Sequence, residues 1–295
     1  MNVLSQLIQD ALNHQGGHIR TDGNGDITQF IPVTPAAVRY LSMSEVLTPK
    51  GGAQTTFNGT LAQRSLVASA GATIINIPGP MTQRPTGKTG PIALEEIKDR
   101  FVTVEAGKFA HVADDAEVTM SGSPYLVAAY DSATAPSYGV GYTLTRAQLK
   151  HEFPDDTVLL AVNTAIEKGV SDLADFVLLN HLGTAATTLA DATFKGLATA
   201  AAARGLRWDE IRAIAGGDCT GLEVDGAGIL RAFGARAEIS DQTGATIVGA
   251  FNRAAVAIDD EIRVTAKRLD NGAVEIVVWA NASALVPDAS AFWKA

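Results

Sequence analysis

A single cysteine, Cys219, occurs in 295 residues. That excludes an intramolecular disulfide framework and any cysteine-rich zinc module, and it fits synthesis in a reducing cytoplasm. Long apolar runs are missing too. No stretch approaches the ~18 uninterrupted apolar residues that cross a bilayer, so no membrane is expected as a partner. The opening residues MNVLSQLIQDALNHQGG lack a basic start and carry Gln6, Asp10 and Asn13, unlike a secretory signal. There is no basic stripe either. The formal charge is −9, whereas sequence-specific nucleic-acid binders concentrate Lys and Arg because phosphate contacts dominate their affinity. Aromatics are sparse at 6% while Gly reaches 28 residues, which favours hairpins and close backbone contacts over a thick aromatic core.

Motifs that carry chemistry fail on spacing. Gly87-Lys88-Thr89 has Thr82 where a phosphate-wrapping loop needs its first Gly, and Pro78, Pro80 and Pro85 remove backbone donors. Asp22-Gly23-Asn24-Gly25-Asp26 begins like a calcium loop, but its sixth and twelfth positions are Ile27 and Val33 instead of Gly and Glu. His111, Asp114, Asp115 and Glu117 are the densest set of metal-ligand types. On a strand His111, Asp115 and Glu117 would share a face, yet acids beside a turn are ordinarily solvated. Ser121-Gly122-Ser123 lacks the flanks of a nucleophile elbow. The histidines, at 14, 18, 111, 151 and 181, are scattered, with His151 and His181 expected at opposite ends of a long helix. Cys219 has no neighbouring His to activate it. No catalytic residue, cofactor or metal site is therefore assigned, and an enzyme is not expected.

At this length the chain forms one large domain or two moderate ones, with a core that needs no staples. Residues 2–13 carry Val3, Leu4, Leu7, Ile8 and Leu12 at helical spacing. From Gly16 to about Arg64 the pattern breaks into an extended arm with little core of its own. A strand is expected at 72–78, a helical turn at 92–99, and strand-like runs at 101–105, 111–112, 117–120 and 138–144. Roughly sixty residues of hairpin and loop lie between Pro78 and Tyr138, too much irregular chain for a domain interior. They predict a projecting β-lobe.

The strongest element begins at Pro154. Asp155 or Asp156 caps it, and Leu159, Val162, Ile166, Val170, Leu173 and Val177 follow at helical steps. Gly183 stands where a C′ glycine belongs. About 28 residues at ~1.5 Å each predict a rod of roughly 40 Å. Beyond it, 208–215 is expected to be helical, and 218–258 is punctuated by Gly with apolar runs at 228–233 and 245–251. The ending is a hairpin of 261–269 against 273–280. A three-residue Asp270-Asn271-Gly272 loop pairs Ile262/Ala280, Val264/Val278 and Ala266/Ile276 on one face, and Arg263/Trp279, Thr265/Val277 and Lys267/Glu275 on the other. A two-residue Asn-Gly turn would mix both faces.

Three runs resemble the major capsid proteins of tailed bacteriophages. YGVGYTLTRAQLKHEFPDD, followed by AVNTAIEKGVSDLADFVLLNHLG, is similar to the junction where the returning strand of the family's extended loop enters its spine helix. Phe194-Lys195-Gly196-Leu197 stands where a Lys-Gly-Leu-like segment often follows. The last 39 residues, AIDDEIRVTAKRLDNGAVEIVVWANASALVPDASAFWKA, are similar to the terminal hairpin, with Pro287 to Phe292 as the closing pattern. The resemblance spans roughly 70–295 as an order of elements. The stretch from Leu197 to Glu261 is short for the family's axial domain, and the β-lobe is elaborated.

The resemblance implies an α+β fold of the Hong Kong 97 type. Its parts are an N-terminal arm (1–64), an extended β-loop with supporting strands (65–145), the spine-helix part of the peripheral domain (146–196), an axial domain (197–258) and a C-terminal peripheral hairpin (259–295). It further implies self-assembly into hexamers and pentamers of an icosahedral head enclosing double-stranded DNA, without sequence-specific binding. Scaffolding, portal and decoration proteins are the implied partners, and a start without an extended helical prefix favours a separate scaffold. The location is the virion, assembled in the host cytoplasm. The alternatives from the residues are an encapsulin-like shell, a phage tail component, and a cytoplasmic α/β enzyme.

Overall fold

The architecture is mixed α+β, in a computed structural model that describes residues 7–9, 11, 18–21, 27–31, 38–42, 64–77, 100–107, 109–114, 117–151 and 157–295. The early strands are β1 (His18–Thr21), β2 (Ile27–Ile31), β3 (Val38–Ser42), β4 (Thr73–Ile77), β5 (Arg100–Val104), β6 (Tyr125–Ala129) and β7 (Ser137–Leu144). Short strands follow: β8 (Thr187–Thr188), β9 (Arg212–Ala215), β10 (Leu222–Val224), β11 (Leu230–Ala232), β12 (Ala235–Ile239) and β13 (Ile247–Gly249). The last are β14 (Ala255–Asp259), β15 (Glu261–Arg268), β16 (Val274–Leu285) and β17 (Phe292–Lys294). The helices used below among the described residues are α1 (Leu66–Ser69), α2 (Arg146–His151), α3 (Thr157–Ala185) and α4 (Phe194–Ala203). Residues 7–9 and 11 are also helical.

The chain divides into two units, each built from discontinuous stretches. The first comprises Met1–Thr60, Pro136–Val170 and Asp259–Asn281; the second comprises Leu61–Ala135, Ser171–Ile258 and Ala282–Ala295.

In the first unit β15 and β16 form the expected hairpin. The register runs Arg263↔Trp279, Val264↔Val278, Thr265↔Val277, Ala266↔Ile276 and Lys267↔Glu275. Ile262, Val264, Ala266, Val274, Ile276 and Val278 are buried, so one face of this pairing is core. At the tip Gly272 takes φ +82 and donates its N–H to Leu269 O at 2.9 Å. L-residues lose roughly 1–2 kcal/mol in that left-handed region, and a Cβ there would stand 3.3 Å from Arg146 Cδ. Gly272→Ala should therefore lower the unfolding free energy by about 1–2 kcal/mol, read as a shifted urea midpoint with an unchanged slope. β3 pairs with β15 on one side, and β7 pairs with β16 on the other, from Ser137↔Asn281 to Leu144↔Val274. A Cβ on Gly139 would meet the Trp279 indole at 2.9 Å, so the ring lies directly on bare backbone. The helical start agrees with the expected amphipathic segment, since Leu7 and Ile8 are fully buried.

The second unit holds a seven-stranded sheet in the order β10-β11-β12-β9-β13-β17-β8. β9 lies inside it, parallel to β12 and antiparallel to β13, and Ala213, Ile214 and Ala215 are buried. The chain end is woven into the same sheet. Phe292 meets Phe251 edge to face at 5.5 Å, Ala295 N–H donates to Thr246 O at 3.0 Å, and Lys294 Nζ donates to Gly183 O at 3.2 Å. A separate pairing sets β14 against residues 282–285 of β16, with β4 beyond it.

The 29-residue α3 is the predicted long helix, about 44 Å at ~1.5 Å per residue. Its residues to Val170 belong to the first unit and the rest to the second. Val162, Ile166, Val170 and Val177 are buried as the periodicity requires. Asp155 and Asp156 lie outside the described residues.

Three expectations are corrected. Gly183 is not a C′ residue: it lies inside α3, which continues to Ala185, because the end is set by β8 joining β17 and not by a local glycine. Residues 208–215 are not a helix but a 3₁₀ turn, Trp208–Glu210, followed by β9, since long-range pairing on both edges outweighs the local spacing. His111–Val112 and Glu117–Met120 are not strands; the strand that pairs with β5 is β6, Tyr125–Ala129.

Candidate assembly surface

β5 and β6 form an antiparallel ribbon, Arg100↔Ala129 through Val104↔Tyr125. Alternation along the strands gives it two faces. Phe101 and Ala128 pack on a cluster of Ile77, Tyr130, Ala255, Ala257 and Leu285, which anchors the ribbon's base. The opposite face carries Val102 opposite Val127 and Val104 opposite Tyr125, all of them exposed.

Beyond the base the described residues are uncovered. Every described residue from Val104 to Val127 is exposed, including Phe109 at 103% and Met120 at 88%. Single exposed apolar residues are ordinary; a concentration of them on one projecting segment marks an interaction surface. A two-stranded ribbon is also marginal alone in water. The lobe therefore has the physical character of a segment that another surface covers.

No family model matches the chain, and no curated protein matches it. Solved structures do. One is a chain of the capsid of the native GTA particle: 10% identity, 84% of this chain and 93% of that one covered, TM-score 0.48. A second is a chain of the satellite phage P4 procapsid: 14% identity, 80% and 95% covered, TM-score 0.47. A third is the virus-like particle from Pyrococcus furiosus: 10% identity, 80% and 93% covered, TM-score 0.45. The chain is similar in structure to capsid shell proteins.

The residues weighed for chemistry do not converge. His111, Asp114 and Glu117 are exposed in irregular chain, so no strand gives His111 and Glu117 a shared face; Asp115 lies outside the described residues. Among the described residues no three His, Cys, Asp or Glu side chains group as metal ligands. Ser121, Gly122 and Ser123 are exposed coil. Cys219 is exposed, with its Sγ 3.6 Å from Gly216 O. His151 closes α2 and His181 lies in the last turns of α3. Gly87-Lys88-Thr89, residues 22–26, 92–99 and His14 lie outside the described residues.

The structure adds a residue that spacing did not reveal. Asp175, buried on α3, accepts hydrogen bonds from Ser65 Oγ at 2.6 Å, Val67 N at 2.9 Å and Leu66 N at 3.0 Å. It caps the start of α1 and ties the segment after residue 64 to the long helix. Burial pushes its carboxyl above the usual range, the three hydrogen bonds pull it down, and Asp172 adds to the rise. The available signal was a carboxylate inside an apolar stripe, between Ala174 and Val177, where acids are rarely buried unless satisfied. Asp225 shows the opposite shift. The Ile229 N–H first, then Arg231 and the Ala227 N–H, hold its carboxyl below the usual range and fix the β10–β11 turn.

Proposed function

We propose that this chain is the major capsid protein of a tailed bacteriophage, with a Hong Kong 97-type coat fold. It self-assembles into hexamers and pentamers of an icosahedral head around double-stranded DNA, in which it has a structural and not a catalytic role. On this reading residues 1–64 are the arm, 65–145 the extended loop with its strands, 146–196 the spine part, 197–258 the axial domain and 259–295 the closing hairpin. Scaffolding, portal and decoration proteins are its partners, and the virion, put together in the host cytoplasm, is its location.

The observation that carries the proposal is the uncovered lobe from Val104 to Val127. The 29-residue helix and the terminal hairpin in its predicted register support it, because a long helix and a closing hairpin are among the elements the resemblance implies. Many modest contacts per subunit, repeated around a closed symmetry, hold such a shell.

Light scattering and negative-stain microscopy of the purified chain test this. Large closed particles are expected, and co-expression with phage scaffold should raise their number. A monomer that persists under every assembly condition would sink the proposal. Small uniform cages loaded with a protein cargo would favour an encapsulin-like shell, and tubes a tail component.

A further inference from the structure

Asn-Gly occurs three times in the chain, at 24–25, 58–59 and 271–272, and only the last pair lies among the described residues. Asn271 stands exposed at the tip of the β15–β16 hairpin. Its Oδ1 accepts the Ala273 N–H at 2.9 Å, which curls the side chain over its own outgoing backbone. The same bond draws electron density away from Cγ. A donor on that oxygen is placed where the negative charge of a tetrahedral adduct at Cγ would gather. The next nitrogen, Gly272 N, belongs to a residue without a Cβ, so no side chain shields its approach.

One hydrogen bond opposes that approach: Gly272 N–H donates to Leu269 O at 2.9 Å. It must open before the nitrogen can turn on Cγ, so the loop paces the reaction without forbidding it. Asp225-Gly226 makes the contrast, as the other place among the described residues where Asp or Asn precedes Gly. The Asp225 carboxylate accepts from Ala227 N at 2.9 Å, Ile229 N at 3.0 Å and Arg231 Nε at 2.8 Å. Ionised and held on both oxygens, it offers no electrophilic carbon. Asn271 carries a neutral amide, whose Cγ stays open to attack.

We propose that Asn271 is a self-modifying site that deamidates through Gly272, and that its isoaspartate product loosens the hairpin. Gly272 N attacks Asn271 Cγ, and the new N–Cγ bond closes a five-membered imide. The Cγ–Nδ2 bond breaks, and the amide nitrogen leaves as ammonia with the proton that Gly272 N gives up. Water then adds to either imide carbonyl, which yields Asp or isoaspartate. Nothing is oxidised or reduced, and water is the only co-reactant. In isoaspartate the main chain runs through Cβ and Cγ, so the loop gains one backbone atom. The three-residue loop fixes the register from Arg263↔Trp279 to Arg268↔Val274, and a longer loop no longer fits it. The reaction needs no second copy and is independent of assembly.

The test incubates the purified full chain at mildly alkaline pH and follows its peptides by liquid chromatography and mass spectrometry. Isoaspartate is counted by methyl transfer from S-adenosylmethionine with a protein isoaspartate methyltransferase. In the folded chain residue 271 should convert at least roughly tenfold faster than Asn180, Asn252 and Asn281, which precede His181, Arg253 and Ala282. On ageing, the urea midpoint should fall further in wild type than in Asn271→Gln, whose longer side chain cannot close the five-membered ring. Conversion at 271 no faster than at the other three asparagines would overturn the site. Conversion seen only in urea would do the same, because the folded loop would then forbid the attack. Equal falls in wild type and Asn271→Gln, despite conversion at 271, would overturn the loosening.

Discussion

Replacing Val102 by Lys and Val127 by Glu together is expected to leave the chain folded and to abolish particle formation. The two positions face each other across the ribbon on its uncovered side, and their exposures are 48% and 42%. An opposite-charge pair at directly opposed positions supports an antiparallel pairing about as well as two apolar residues do. The base of the ribbon, Phe101 and Ala128 on the Tyr130 cluster, is untouched. Folding of the subunit therefore has little to lose. Assembly has more. A fully buried Val contributes about 1.5–3 kcal/mol, so two half-exposed ones forfeit roughly 2 kcal/mol per contact. That weakens each contact roughly thirtyfold, before the cost of desolvating a Lys and a Glu. Repetition of the contact around the proposed shell multiplies the deficit. The measurement is particle yield by light scattering beside a melting curve. Normal particles from this variant would remove the lobe from the assembly surface. Val102→Thr with Val127→Thr, close in shape but more polar, should fall between.

The elements legible in the sequence were those whose partners are near or whose period is long. The β15–β16 register follows from sorting apolar from polar side chains about a three-residue loop, and Gly272 at φ +82 is the residue that this loop needs. α3 was legible from five successive helical steps. What escaped was decided at a distance. Ile211 and Ile214 fit a helical turn, but β9 sits between β12 and β13, whose pairings no local pattern reveals. β6, Tyr125–Ala129, reads as a small-residue connection until β5 lies beside it. Glu117–Met120 has strand-like alternation and no partner among the described residues. Exposed apolar residues such as Phe109 and Met120 cannot be told from core residues by sequence, because both look the same until burial is known.

Asp175→Ala should be strongly destabilising although it removes no apolar packing. The carboxylate satisfies one hydroxyl and two backbone N–H groups, and Ser65 and Val67 are themselves almost fully buried. Each buried donor left without an acceptor costs about 1–3 kcal/mol. Release of the carboxylate's own desolvation returns part of that, so a net loss of about 3 kcal/mol is expected. Asp175→Asn retains one acceptor oxygen and should lose less, about 1–2 kcal/mol.

The pH dependence then separates burial from hydrogen bonding. Asp175's folded pKa is raised, with burial as the largest cause, so the folded chain holds this proton more tightly than the unfolded chain. That contribution is fully present below the unfolded pKa and is lost as pH rises through the folded value. Wild type should accordingly gain stability relative to Asp175→Asn as pH is lowered from 7 towards 4, in urea unfolding at each pH. If the margin narrows on acidification, the hydrogen bonds outweigh burial and the carboxylate works as an ionised cap. In either case Ser65, Leu66 and Val67 depend on a side chain more than a hundred residues away, so the start of α1 keeps its place only while that part of α3 is formed.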